Sequence, residues 1–350
     1  MRIAIVNDLQ LAIELLRRVV ATIPGATVAW IAKDGAEAVA KCAADVPDVI
    51  LMDMIMPVMD GVEATRRIMR ATPCPILVVT ATVTGNASKV FEALGAGAID
   101  AVATPGLAPD GSVVHAEPLA AKVRTVSLLA GVGAREGLSA GASQSAQASR
   151  GMPTLVAIGA STGGPEALAT VLRSLPKPAP WPIVIVQHID EMFASGLSEW
   201  LTRETGHRVL IAARDAVPEP GCVHLASSSD HLIIHSGRLR YTDVPREVLY
   251  RPSVDVFFES LLTAGVQPGV AVILTGMGRD GASGMASLRT AGWTTIAQDR
   301  ATSVVWGMPG AATQMGAAMQ TLPIDTIAAA ISAAMDQGRK SRDPQHGVRD

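Results

Sequence analysis

The stretch Leu155-Val156-Ala157-Ile158-Gly159-Ala160-Ser161-Thr162-Gly163-Gly164-Pro165 reads as a buried strand, a glycine-flanked serine and the start of a helix. A chain passing at once from strand to helix strains the turn residue, and glycines two places before and after Ser161 leave room for that turn. The hydroxyl then projects from the strand's carboxyl end, beside helix N-terminal amides that can stabilise an oxyanion. By itself the pattern fits a structural or phosphate-binding turn as well. A dinucleotide site fits less well. Ser161 takes the place of the second glycine, where a side chain obstructs the pyrophosphate, and the next strand ends in Gln187-His188 instead of a ribose-binding acid.

Two further apolar runs supply the partners a nucleophilic serine needs. Ile183-Val184-Ile185-Val186-Gln187 places His188 just past a strand's carboxyl end, and Val270 to Leu274 leads into a glycine-rich loop carrying Asp280. In such a set the histidine takes the serine proton, while the carboxylate fixes the imidazole tautomer and stabilises the imidazolium. The order Ser, His, Asp differs from that of an α/β-hydrolase, whose acid precedes its histidine. Singly, a histidine at a strand end is a loop residue and an aspartate before glycine a turn former. Their joint placement makes Ser161, His188 and Asp280 the candidate catalytic set.

The amino-terminal part alternates strand and helix five times, with strand candidates Arg2 to Val6, Thr27 to Ile31, Asp48 to Met52, Pro75 to Thr80 and Ala98 to Val102. In the first helix Ala12, Leu15, Leu16 and Val19 share one face, leaving Glu14, Arg17 and Arg18 to water. Right-handed crossovers then build a doubly wound parallel sheet. Asn7-Asp8 follows the first strand and Asp53 ends the third. Two carboxylates with the backbone carbonyl of Ile55 form a hard-cation site suited to Mg²⁺ beside a phosphoryl group. The plainer alternative makes Asp8 a helix cap and Asp53 a strand end.

At 350 residues the chain accommodates two α/β domains, and with 49% hydrophobic but only 3% aromatic residues its core is built from aliphatic side chains, Ala and 14 Met. Cys42, Cys74 and Cys222 form no CxxC pair, and an odd count argues against a disulfide framework. A net charge of −3, from 29 basic and 32 acidic residues, gives no electrostatic case for nucleic acid. No secretory h-region or membrane-spanning run is visible, which points to the cytoplasm and to no direct membrane insertion. His231 and His235 fall on a hairpin turning at Ser236-Gly237, where four-residue spacing does not align side chains. With His224 they read as structural, not zinc-binding.

From about Pro153 to about Ile331 the chain resembles the catalytic domain of chemotaxis protein-glutamate methylesterases. The motifs are Gly159 to Pro165, Val186-Gln187-His188-Ile189, Arg251-Pro252-Ser253-Val254-Asp255, Ile273 to Gly281, Ile296-Ala297-Gln298 and Val304 to Pro309. The resemblance implies that Ser161, His188 and Asp280 are the triad, that Met277 supplies an oxyanion-hole amide and that Thr162 adjoins the nucleophile. Ala226-Ser227-Ser228-Ser229 departs from it, standing where the family has a proline-containing turn. The implied activity is hydrolysis of glutamyl methyl esters on the cytoplasmic helices of chemoreceptors, together with glutamine deamidation, and hydrolysis needs no cofactor.

Asp48 to Gly61 resembles the phosphoacceptor segment of two-component receiver domains. This implies phosphorylation of Asp53 by a chemotaxis-type histidine kinase with Mg²⁺ held by Asp8, Asp53 and Ile55, and a switch hydroxyl at Thr80. Thr104 stands before Pro105 where receivers carry lysine, Ala101 replaces an aromatic switch, and Asn7 replaces one acid of the usual pair, all of which bear on the strength of control. Asn7-Asp8 and Asp100 to Pro105 look like the methylesterases of Wsp-type surface-sensing systems. The expected architecture is α/β: a flavodoxin-like receiver with a five-stranded parallel sheet over 1–130, a flexible linker over 131–152, a doubly wound serine-hydrolase domain over 153–336 and a polar tail over 337–350. A phosphorylation-controlled binding protein with little turnover is the competing reading.

Overall fold

The computed structural model describes residues 1–80, 87–108, 113–114, 116–129, 154–248 and 250–340, so the expected linker 131–152 lies outside the described residues. The chain divides into two compact units, Met1–Gly137 and Leu138–Asp350.

In the first unit β1 (Arg2–Val6), α1 (Gln10–Ala21), β2 (Thr27–Ala32), α2 (Gly35–Ala44), β3 (Val49–Met52), α3 (Gly61–Ala71), β4 (Ile76–Thr80), α4 (Ala87–Gly95) and β5 (Asp100–Ala103) follow in strict alternation. A short antiparallel pair, β6 (Gly106–Leu107) and β7 (Val113–Val114), precedes α5 (Ala116–Leu129). The sheet is parallel with strand order β2-β1-β3-β4-β5. β3 and β4 are buried along their whole length, which is why they read as continuous apolar runs without alternation. α1 buries Ala12, Ile13, Leu15, Leu16, Val19 and Val20, while Arg17 and Arg18 face solvent. β5 begins two residues later than the apolar run beginning at Ala98 implies. Gly97 turns the chain at φ +111°, and register with β4 starts where Leu77 meets Asp100.

The second unit contains β8 (Val156–Ala160), α6 (Gly164–Ser174), β9 (Ile183–Gln187), α7 (Glu191–Thr205), β10 (Arg208–Ile211), β11 (Cys222–Leu225), β12 (His231–His235), β13 (Arg238–Thr242), α8 (Val254–Thr263), β14 (Val270–Ile273), α9 (Ala282–Thr290), β15 (Thr294–Gln298), α10 (Met308–Gln314), β16 (Gln320–Leu322) and α11 (Ile324–Lys340). β12 and β13 form an antiparallel hairpin whose turn, Ser236-Gly237, has left-handed backbone at both residues, as two-residue hairpin loops favour. α11 continues to Lys340, four residues into the segment read from sequence as a polar tail.

The seven parallel strands run β10-β11-β9-β8-β14-β15-β16. From β8 the chain moves outward to one side through β9, and returns after the hairpin to build the other side from β14. The crevice outside the carboxyl end of β8 is therefore a topological switch point, where open parallel sheets collect ligands. Ser161, His188 and Asp280 follow β8 and its two neighbours. One face of the sheet is sealed by α8, α9 and the hairpin, with Phe257, Phe258, Met285, Leu288 and Trp293 among the buried side chains.

His207 and His224 are buried in this unit, and neither ring nitrogen of His224 has a hydrogen-bond partner among the described residues. Burial holds both below the ordinary imidazole value of 6.5. The unfolded chain therefore takes up protons first as pH falls. The stabilisation is complete above pH 6.5 and is lost as the pH drops through the depressed folded values. The full-length protein is expected to melt at lower temperature near pH 5.5 than near pH 7.5, and His224→Leu is expected to shrink that difference. Calorimetry showing equal acid sensitivity in His224→Leu would remove His224 from the explanation.

Candidate active site

The turn after β8 is held from three sides. Ser161 continues the strand, its N–H donating to the Thr275 carbonyl at 3.0 Å, and its own carbonyl accepts from Gly164 N at 2.7 Å and from Gln187 Nε2 at 2.9 Å. The strained backbone expected at the serine falls instead on Gly163, left-handed at φ +76°. Three residues separate β8 from α6, so the reversal is spread along the turn and Ser161 stays hydrogen-bonded as strand. The flanking glycines are sterically required. A Cβ on Gly159 would lie 2.4 Å from Val254 Cγ1, and one on Gly163 would lie 2.7 Å from Val304.

The strand ends are fastened by their backbones as well. His188 N donates to the Ala160 carbonyl at 3.0 Å, which puts the residue after β9 beside the residue before Ser161. On the other side Thr275 donates its Oγ1 to the Thr162 carbonyl at 3.0 Å and its N–H to Gln298 Oε1 at 2.7 Å. The Gly276 carbonyl accepts from Gly307 N and Met308 N, and a Cβ at Gly276 would lie 2.7 Å from that of Ser161. Through these contacts the motifs at Ile296 to Gln298 and Val304 to Pro309 brace the loop that faces the serine.

Asp280 and His188 are joined. His188 Nε2 lies 2.8 Å from Asp280 Oδ2, and Nδ1 is buried without a hydrogen-bond partner among the described residues. Asp280 also accepts from Ser253 Oγ at 2.8 Å, Val254 N at 2.6 Å and Asp255 N at 3.1 Å. Its carboxylate thus sits on the N-terminus of α8, where Ser253 is the N-cap. Burial raises the Asp280 pKa, but the His188 hydrogen bond and charge together with the α8 amides outweigh it and hold the group below the ordinary carboxylate range. Asp255 carries the opposite consequence: burial, then the charge of Asp280, pushes it up to about 7.

Of the other residues read from sequence, Met277 is half-buried in the loop before Asp280 and Thr162 is buried beside Ser161. Reasoning from sequence gave no role to Ser253, Thr275, Gln187 or Tyr250. Gln187 carried a signal, being a polar end to an apolar strand, and Ser253 stood at N-cap position before Val254-Asp255-Val256. Nothing in the sequence places the Tyr250 ring, which lies parallel to His188 at 4.6 Å between centroids. His231 is structural, as its hairpin position implies: Nδ1 accepts from Ser253 N at 3.2 Å and Nε2 bonds the Pro245 carbonyl at 3.0 Å.

In the first unit Asp53 and Asp8 lie at the ends of adjacent strands. Asp53 accepts from Met54 N at 2.7 Å and from the Ile55 amide, while Asp8 and Ile55 are exposed. Burial, aided by the Asp8 charge, pushes the Asp53 carboxyl up to about 6. Thr80, buried at the end of β4, accepts from Thr104 N at 3.0 Å, so both switch candidates occupy one strand edge. Asn7 is buried and caps the chain at Leu9 N, 2.8 Å away. Lys122 reaches Asp100 at 2.6 Å and Lys89 reaches Asp60 at 3.0 Å. Among the described residues no three His, Cys, Asp or Glu side chains form a metal cluster.

Residues 156–331 match the CheB methylesterase family and residues 3–108 match the response regulator receiver domain. The chain belongs to the CheB methylesterase family. It is 49% identical over 343 residues to protein-glutamate methylesterase/protein-glutamine glutaminase 4 of Burkholderia thailandensis, covering 98% of this chain and 100% of that one. With protein-glutamate methylesterase/protein-glutamine glutaminase 3 of Burkholderia orbicola it shares 52% over 331 residues, 94% and 96% of the two chains. The crystal structure of the Thermotoga maritima CheB methylesterase catalytic domain is 35% identical, covers 51% of this chain and 96% of that one, and superposes with a TM-score of 0.47. No helix among the described residues of this family member is long and apolar enough to cross a membrane.

Ser253→Ala removes both the α8 cap and a donor to a buried carboxylate. It is expected to cost about 1–2 kcal/mol of stability, read from urea unfolding, with the loss larger than for an exposed N-cap of the same type. Unchanged unfolding would show that neither bond contributes.

Proposed function

We propose that this chain hydrolyses γ-glutamyl methyl esters on the cytoplasmic helices of chemoreceptors and deamidates glutamine at the same sites, under control of phosphorylation at Asp53. The observation that carries the reading is the bonded His188–Asp280 pair at the strand ends on either side of Ser161. A binding protein without turnover has no need of that buried pair.

Ser161 Oγ attacks the ester carbonyl as His188 accepts its proton at Nδ1, the ring nitrogen left over when Nε2 faces Asp280. This inverts the commoner arrangement, in which the carboxylate faces Nδ1 and the serine faces Nε2. Asp280, already anchored on α8, stabilises the imidazolium. The developing oxyanion is assigned to the turn amides, with the Met277 N–H among them, since Gly276 brings that loop against Ser161. Methanol leaves with the proton from His188, and water activated by the same nitrogen releases the carboxylate. With glutamine as substrate, ammonia is the leaving group.

In the receiver, Asp53 accepts the phosphoryl group from a chemotaxis-type histidine kinase. Asp8, Asp53 and the Ile55 carbonyl are an oxygen donor set that fits Mg²⁺, which when bound offsets the repulsion between carboxylate and phosphoryl group. Thr80 and Thr104, joined by the Thr104 N–H to the Thr80 carbonyl, are the residues proposed to respond to it. With Thr104 in place of lysine and Ala101 in place of an aromatic, phosphorylation is expected to activate only modestly. The segments that resemble Wsp-type enzymes favour surface sensing as the output, with the protein acting in the cytoplasm.

The test is methanol release from methylated receptor. Ser161→Ala is expected to lose on the order of 10³-fold or more in kcat while folding normally. Acetyl phosphate with Mg²⁺ is expected to stimulate the wild type and leave Asp53→Ala at its basal rate. Full turnover in Ser161→Ala would overturn the nucleophile, and equal stimulation of Asp53→Ala would overturn the phosphorylation site.

A further inference from the structure

Tyr250 lies between β13 and α8, three residues before the Ser253 that binds Asp280. Its ring and the His188 imidazole are 2° from parallel with centroids 4.6 Å apart, so the histidine presents its face to the phenol and its edge to Asp280. A Cβ at Gly278 would come 3.0 Å from the phenol oxygen, which places Tyr250 against the loop carrying Met277 and Asp280. Although part of the ring is exposed, its partial burial, with the Asp280 charge adding, raises the phenol above its ordinary value of 10.0.

The Nε2 bond to Asp280 fixes one point of the imidazole, and the backbone bond to Ala160 fixes its root. Neither fixes the plane, because rotation about the last histidine torsion is soft. A flat aromatic contact restricts that rotation without competing for either nitrogen. The π face also favours a cation lying on it, which the imidazole becomes once it holds the serine proton.

We propose that Tyr250 is a positioning residue for hydrolysis: its ring face sets the plane of His188 so that Nδ1 points at Ser161, and it cushions the imidazolium. The proposal rests on the reading of His188 as the base.

Tyr250→Phe, Tyr250→Leu and Tyr250→Met are compared in the full-length protein on methylated receptor, with the His188 ring protons followed by NMR. Phe is expected to keep kcat within about threefold, whereas Leu and Met lose about tenfold in kcat with KM little changed, an effect between the exposed and the desolvated limits of a cation–π contact. The His188 ring protons are expected to move downfield in Leu and Met alone, as the stacked ring's current is lost. Wild-type kcat in both Leu and Met would overturn the proposal. So would a loss in Phe as large as in Leu, which would assign the role to the phenol oxygen, or a change in KM alone, which would make Tyr250 a substrate contact. His188→Gln separates the underlying reading: wild-type turnover there would remove the base itself, while the ring shifts report the stack whatever the chemistry.

Discussion

An ionised carboxylate buried at the end of a strand is costly unless donors surround it, and Asp280 is surrounded by four. Three come from the first turn of α8 and its cap, and the fourth is the imidazole. The same helix returns an acid: Asp255 accepts from Gly284 N at 2.7 Å, so the starts of α8 and α9 are tied reciprocally. Two carboxylates in one buried region do not both ionise cheaply. The charge settles on Asp280, which has the donors, and Asp255 is the one pushed up to about 7. In the proposed mechanism the chemistry draws on a negative charge fixed by helix packing.

The serine is placed by a different device. β8 lies between β9 and β14, and backbone bonds continue each pairing beyond the strands, from His188 to Ala160 on one side and from Leu274 to Gly159 and Ser161 to Thr275 on the other. The switch point so formed has little spare volume. Gly159, Gly163 and Gly276 each have a neighbour within 2.7 Å of where a Cβ would be, and each neighbour belongs to an element that shapes the site.

Much of this was legible in the sequence because it depends on local pattern. Strand ends, the glycine-bracketed serine and the carboxylates of the receiver are set by residue type and short spacing, and the parallel, doubly wound character of the five-stranded sheet follows from alternation and handedness. What stayed hidden depends on contacts between distant segments. Which imidazole nitrogen faces Asp280, the flat contact with Tyr250 and the support of Asp280 by Ser253 arise when α8 folds back over the sheet. The location of the left-handed residue at Gly163, two positions beyond the serine, was masked by the resemblance of the motif to a tighter elbow.

His188 is held by Asp280 through Nε2, which leaves Nδ1 as the nitrogen proposed to serve Ser161. Nitrogen-15 NMR of the full-length protein, labelled at histidine, reads this directly in the neutral imidazole. The His188 signals are expected to show a protonated Nε2 coupled to its hydrogen and an unprotonated Nδ1 acceptor. A proton resident on Nδ1, with Nε2 bare, would contradict it.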